Sequence, residues 1–466
     1  MARNFEMNMS EGSLLKKIIL YALPLIATNV LQLLFNAADV AVLGKFIHDK
    51  TLAEAAVAAV GSTGALINLI TGLFIGLSVG ANVLVARYVG KGDSESAKKV
   101  VGMSMLISVL LGVVLLLIGY FCSRTFLAWM SCPIDVIDMA TKYMQIYFIG
   151  MPIMMLYNFS ASILRAVGDT MRPLIFLVVS GIVNVGLNII FVLVFKKDVE
   201  GVAIATVASQ AISAVLCIIT LFKSNGYARL EIRYIRFYKR ELVDMIKIGV
   251  PAGLQGCLFS ISNVMVQSTI NGYGKIIMAG NTVASQIEGF IYNACNSVSL
   301  TALAFVSQNY GAKKPDRIRK VVKEVLAVAG VLALAMSAVV VIFSKPLSLL
   351  FNDSVEAIAV AQTRLSLIGA TYVLCAVMDV MGNVMRGLNK STTAMVVSLL
   401  GSCLFRILWI HTIYLLSPSL TMLYIVFPIS WILTSCIHFA IYFPTMKKVQ
   451  KQLNDEIERE NQGVKA

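Results

Sequence analysis

The chain has 466 residues, of which 58% are hydrophobic and only 14% charged, with a formal net charge of +14 and a mean hydropathy of +0.81. That leaves too little polar surface for a soluble globule and describes a polytopic membrane protein. The positive charge is scattered through short loops between apolar runs and forms no single basic patch, which excludes a nucleic-acid partner and points to a lipid bilayer with anionic headgroups.

Runs of about 20 or more apolar residues predict an all-α integral membrane fold of twelve transmembrane helices, near 14-44, 53-88, 97-121, 136-166, 171-195, 201-223, 242-271, 278-309, 315-343, 355-387, 393-416 and 420-444. The polar stretch from Met1 to Gly12 has no short apolar core followed by a small-residue cleavage site, so no removable signal peptide is expected. The first run carries Pro24, Asn29, Gln32, Asn36 and Asp39. Steps of 3, 4 and 3 from Asn29 to Asp39 place these four polar side chains on one helical face. A carboxylate at membrane depth normally faces a bundle interior or a wet cavity and marks an ion or substrate path. Asp39 is therefore the candidate cation-coupling residue, taking H+ or Na+, and Pro24 is the candidate hinge because it removes a helix hydrogen bond.

In the fifth run Asn184 and Asn188 stand one turn apart and face together, either as interhelical hydrogen-bond partners or as neutral ligands beside Asp39. In the seventh run Gln255, Phe259, Asn263 and Gln267 step by four and are expected to line a substrate cleft with Asn36. Glu288 and Asp379 are the acids of the second half, available either to pair with Arg386, Arg406 or a polar neighbour, or to attract a cationic compound.

The basic, aromatic-rich linker that follows residue 223 divides six helices from six. The predicted layout is an N-terminal segment 1-13, an N-lobe 14-223, the linker 224-241, a C-lobe 242-444 and a tail 445-466. An internal repeat crosses the linker: Arg87–Asp93 (RYVGKGD) recurs at Gln308–Lys314 (QNYGAKK), and Leu164–Thr170 (LRAVGDT) at Met385–Ser391 (MRGLNKS), both offset by 221 residues. Pro24 and Asn36 recur as Pro251 and Asn263. Six helices per half give both halves one orientation, the parallel-repeat arrangement whose substrate sites are expected between lobes near the midplane. Counting Lys and Arg places about 29 basic residues on the side of the termini and about nine opposite, so both termini are expected in the cytoplasm.

Six of the eight cysteines lie in apolar runs and no CxxC occurs, so they read as small buried hydrophobes. Three scattered histidines offer no metal site, and no Walker sequence or catalytic set stands out, which excludes direct ATP use and argues against an enzyme.

Five stretches carry a resemblance: Pro24–Gly44 (PLIATNVLQLLFNAADVAVLG), Arg165–Pro173 (RAVGDTMRP), Pro251–Gln255 (PAGLQ), Val306–Gly311 (VSQNYG) and Arg386–Ser391 (RGLNKS). Together they resemble the multidrug and toxic compound extrusion (MATE) family of efflux transporters, in the DinF-like bacterial branch with its acid in helix 1. The resemblance implies two six-helix lobes and export of small cationic amphipathic compounds driven by an inward H+ or Na+ gradient, with no cofactor. It also implies a monomer in the bacterial cytoplasmic membrane. The implied site is Asp39 with Gln32, Tyr143, Asn184, Asn188 and Thr206, hinged at Pro24. Asn188 departs from the pattern, standing where relatives often carry a second carboxylate. A flippase for a lipid-linked saccharide and a non-transporting receptor are the alternatives; the first calls for a strongly cationic central cavity, the second for no midplane polar stripe.

Overall fold

The structure, a computed structural model, describes residues 5–47, 50–130 and 132–461; His48 lies outside them. Among the described residues there is no strand, as expected where lipid cannot satisfy backbone polar groups and each helix must satisfy its own. Eleven of these helices are long and apolar enough to cross a bilayer, or twelve spans when one bent pair counts as one. Numbered in chain order, spans 1 to 6 are Leu14–Gly44, Thr51–Lys91, Ser94–Trp129, the bent pair Ile134–Ile149 with Met151–Ala166, Met171–Val194 and Val199–Lys223. Spans 7 to 12 are Lys239–Asn271, Lys275–Gly311, Pro315–Ile342, Val355–Gly387, Ser391–Leu416 and Leu420–Glu460.

Regularity breaks where the sequence has a reason to break it. The predicted run 136-166 bends by 51°, because Gly150 ends the first helix and Pro152, near the start of the second, has no amide to continue the ladder. Span 5 ends in a π-helical turn, Ile190–Val194, and span 11 contains another, Leu399–Leu404. Beyond residue 444 the chain stays helical to Asn461.

The chain divides into two compact units, Met1–Asn8 with Ala27–Gly253, and Met9–Ile26 with Leu254–Ala466. The divisions fall two residues past Pro24 and two past Pro251, so spans 1 and 7 each change unit partway along.

In the first unit, span 3 packs against both halves of span 4, and spans 5 and 6 pack on one another. Its core includes Leu43, Leu115, Tyr143, Met144, Phe148, Met151 and Val202. The opening turns of span 7 lie on span 2 through glycines spaced by four: a Cβ at Gly76 would overlap the Gly253 backbone and one at Gly80 the Met245 carbonyl. Without side chains the two backbones come into contact, as in small-xxx-small membrane crossings. Met7 donates to the Val167 carbonyl at 3.2 Å and Glu6 accepts from Ser224 at 3.2 Å. The linker is fixed by Glu231, which bonds Lys98 at 2.8 Å; that ammonium holds the Glu231 carboxyl below its ordinary range.

In the second unit, span 8 packs against spans 9 and 10, and span 12 against span 10. Tyr21 from the start of span 1 meets Phe305 edge-on at 5.5 Å. Buried Met9 donates to Gln308 Oε1 at 2.5 Å and accepts from Asn309 Nδ2 at 3.2 Å.

The span 2 and span 7 crossing gives a test. Gly253→Ala drives a Cβ into the Leu73 backbone, whereas nothing lies within 4 Å of one at Gly256. Overpacking costs about 1–3 kcal/mol, so Gly253→Ala is expected to lower the melting temperature in detergent and Gly256→Ala to leave it undiminished.

Candidate cation site

Asp39 sits late in span 1, 7% exposed. Gly181, one turn before Asn184 on span 5, makes the approach possible: a Cβ there would overlap the Phe35 ring, which lies one turn before Asp39. Phe35 seats against the bare backbone, and the next turn brings acid and amide together. Asn188 Nδ2 donates to Asp39 Oδ1 at 2.6 Å and to Asn184 Oδ1 at 3.2 Å. The Thr206 hydroxyl on span 6 donates to the Val202 carbonyl at 2.9 Å and lies 3.4 Å from Asp39 Oδ2. Asn184 Nδ2 reaches Thr206 Oγ1 at 3.5 Å.

This arrangement has one acid and only neutral partners. Among the described residues, Asp39 forms no salt bridge, and Asn188 Oδ1 is a buried acceptor without a donor. A carboxylate, two carboxamides and a hydroxyl supply the oxygen types a hard cation takes once Asn188 turns its oxygen, in place of its amide nitrogen, to Asp39, and the carboxylate alone is a proton acceptor. Asn188 lies two residues before the π turn at Ile190, a distortion that often accompanies functional sites in helices.

Tyr143 is buried and stacks on Tyr147, with ring centroids 6.1 Å apart; both are close enough to interact electrostatically with Asp39. Neither Tyr143 nor Gln32 joins the hydrogen-bonded cluster, and Asn36 is exposed. The cluster thus contains Asp39, Asn184, Asn188 and Thr206. Pro24 lies within an unbroken helix from Leu14 to Phe46.

In the second unit, the span 7 amides meet arginines. Gln255 Oε1 accepts from Arg386 Nη2 at 2.7 Å and Asn263 Oδ1 from Arg406 Nη1 at 3.0 Å. Gln267 donates to Asn271 Oδ1 at 2.8 Å, and Phe259 is half-buried. Glu288 is held at both oxygens by Arg364, at 3.0 and 2.8 Å, and the same guanidinium donates to Asn281 at 2.6 Å. Sequence reasoning did not single out Arg364; its signal was an arginine among apolar residues in a run whose facing span carries one acid. Among the described residues, nothing hydrogen-bonds the buried Oδ2 of Asp379.

Two outcomes test these assignments. Partners that orient a ligand are worth about 10–100-fold in affinity, so Asn188→Leu is expected to weaken cation binding to that extent, read by isothermal titration of the purified protein. Removing one member of a buried ion pair costs about 3–5 kcal/mol while replacing both is often neutral. Arg364→Met is therefore expected to destabilise the protein in thermal unfolding, and Arg364→Met with Glu288→Met to restore it.

Known proteins match the chain over most of its length. The MatE family model matches residues 24–190 and 251–410. A probable multidrug resistance protein of Bacillus subtilis, YoeA, is 28% identical over 384 residues, covering 81% of this chain and 82% of its own. The probable multidrug resistance protein NorM of Thermotoga maritima is 22% identical over 390 residues, 82% of each chain. A solved structure described as the outward-facing conformation of a multidrug resistance MATE family transporter superposes with a TM-score of 0.87 at 21% identity, covering 95% of this chain and 98% of that one. The chain belongs to the MatE family and is a multi-pass membrane transporter, not an enzyme.

Proposed function

We propose that this protein is a secondary active exporter of small cationic amphipathic compounds, energised by H+ or Na+ entering at Asp39, Asn184, Asn188 and Thr206. The observation that carries this reading is the buried Asp39 carboxylate, bonded among the described residues only by neutral groups. A buried anion without a counter-charge is costly, and a captured cation removes that cost. With one acid, the site takes one positive charge per cycle.

Coupling requires that cation and drug favour different conformations or exclude each other. Span 1 links the two requirements, since it carries Asp39 beyond Pro24 and joins the other unit before Ala27. Cation capture at Asp39 acts on the far half of span 1, and Pro24 is where that helix yields. Asn36, exposed one turn before Asp39, and Phe259 and Asn263 in span 7 are contacts for the drug; Asp379, with its unpartnered oxygen, is a further contact for a cationic group. We place the protein in a bacterial cytoplasmic membrane as a monomer with both termini inside, on the excess of basic residues in the connecting segments on that side.

The test is transport of a fluorescent cationic dye in proteoliposomes under an imposed proton or sodium gradient, for the wild type and Asp39→Asn. One gradient is expected to drive dye movement in the wild type, and Asp39→Asn to fall to the level of empty liposomes while keeping its melting temperature. Undiminished export by Asp39→Asn overturns the site; no dye movement under either gradient overturns drug export and turns attention to lipid-linked cargo.

A further inference from the structure

The repeat predicts what should occupy the second unit's counterpart of the cation site. With the 221-residue offset, Asn184, Asn188 and Thr206 map onto Phe405, Trp409 and Phe427; with the 227-residue offset of the two prolines, Asp39 maps onto Val266 and Asn36 onto Asn263. The acid, both amides and the hydroxyl are replaced by apolar and aromatic groups. Two arginines stand beside them: Arg364, paired with Glu288 and 5.9 Å from the Phe427 ring centroid, and a second one that has no acid partner among the described residues.

The second arginine is Arg406. It is 2% exposed and lies within span 11, two residues past the π turn Leu399–Leu404. Its Nε donates to Ser430 Oγ at 3.0 Å and its Nη1 to Asn263 Oδ1 at 3.0 Å, and its guanidinium lies over the Phe427 ring, 4.4 Å from the centroid. Among the described residues it forms no salt bridge and Nη2 makes no hydrogen bond to protein. Arg364, in the same unit, is by contrast clamped on Glu288.

An arginine at membrane depth with no counter-ion is a functional group by default. The planar guanidinium matches a carboxylate or phosphate through two parallel hydrogen bonds. Here Nη1 is held by a neutral amide on a side chain that is itself exposed. A carboxylate can displace that amide, since a charged acceptor makes the stronger bond. Phe427, under the guanidinium, and Phe405 and Trp409, 5.8 Å apart on the same span as Arg406, make the surroundings apolar and aromatic.

We propose that Arg406 is a recognition site for the acidic group of an amphiphile, a carboxylate or phosphate, which takes the place of Asn263 on the guanidinium. This rests on the exporter reading and extends its substrates from cationic compounds to zwitterionic and acidic ones.

Equilibrium binding separates this proposal from the exporter reading, which stands or falls by gradient-driven transport. Trp409 and Trp431 flank the site and Trp129 is remote in sequence, so a Trp129→Phe background reports on it by fluorescence. The probes are 4-bromobenzoate and 4-bromobenzylammonium, matched heavy-atom quenchers of opposite charge, titrated into phosphatidylcholine nanodiscs. The benzoate is expected to quench saturably and at lower concentration than the ammonium probe. Loss of a charge-assisted fork is expected to weaken it by about tenfold or more in Arg406→Gln, with Arg406→Lys between. Phosphatidylglycerol in the nanodisc distinguishes the sources: competition assigns the acid to a lipid headgroup, no competition to a soluble amphiphile. Absence of saturable benzoate quenching in the wild type, or equal affinity in an Arg406→Gln protein of unchanged melting temperature, overturns the proposal.

Discussion

A carboxylate placed where water and counter-ions are scarce must be solvated by the protein, and the first unit is arranged around that requirement at Asp39. Amide hydrogens from Asn188 supply part of the solvation and the Thr206 hydroxyl stands at the other oxygen. Neither can neutralise the charge. For those groups to arrive, span 5 must come within backbone distance of span 1, which Gly181 permits by leaving room for Phe35, and span 6 must bring Thr206 to the same level. A bulkier residue at Gly181 would separate the spans and leave the acid without its donors. The glycine is thus as much a determinant of the site as the groups that touch the carboxylate.

The two units use one backbone plan for different electrostatic ends. In the first, an acid is surrounded by neutral dipoles; in the second, arginines are distributed among an acid, amides and aromatic faces. Arg364 is compensated by Glu288 at both oxygens, and Arg386 is bonded to Asn383 and Gln255. Duplication conserved the helical frame because packing depends on volume and period. The polar content was free to diverge, because a few side chains decide it.

Hydropathy alone revealed the spans, since a bilayer admits few backbone solutions. The polar face of span 1 was legible from its spacing, but spacing says which residues look the same way and not which will touch a partner. Gln32 and Asn36 share that face and remain outside the cluster. Thr206 carries no sequence signal of its own in an apolar helix and entered only through family resemblance. Glu288 was visible as an intramembrane acid, whereas its partner Arg364 is 76 positions away, a pairing that periodicity does not encode. The bend in span 4 was present in the Gly150 to Pro152 sequence and was hidden by the uninterrupted hydrophobicity around it.

The exchange of helix segments between the units bears on how the protein is made. The first unit remains incomplete until residue 253 has been synthesised, because its span 2 glycines are covered by the opening turns of span 7. The second unit's first contribution, Met9–Ile26, is synthesised before the first unit's main part, Ala27–Gly253. It must wait in the membrane while more than 200 further residues follow. A nascent chain halted after six spans would therefore present two unfilled grooved surfaces, one glycine-lined on span 2 and one apolar on the start of span 1. Neither half is a self-sufficient folding unit, and membrane quality control would meet the first half as an unfinished protein.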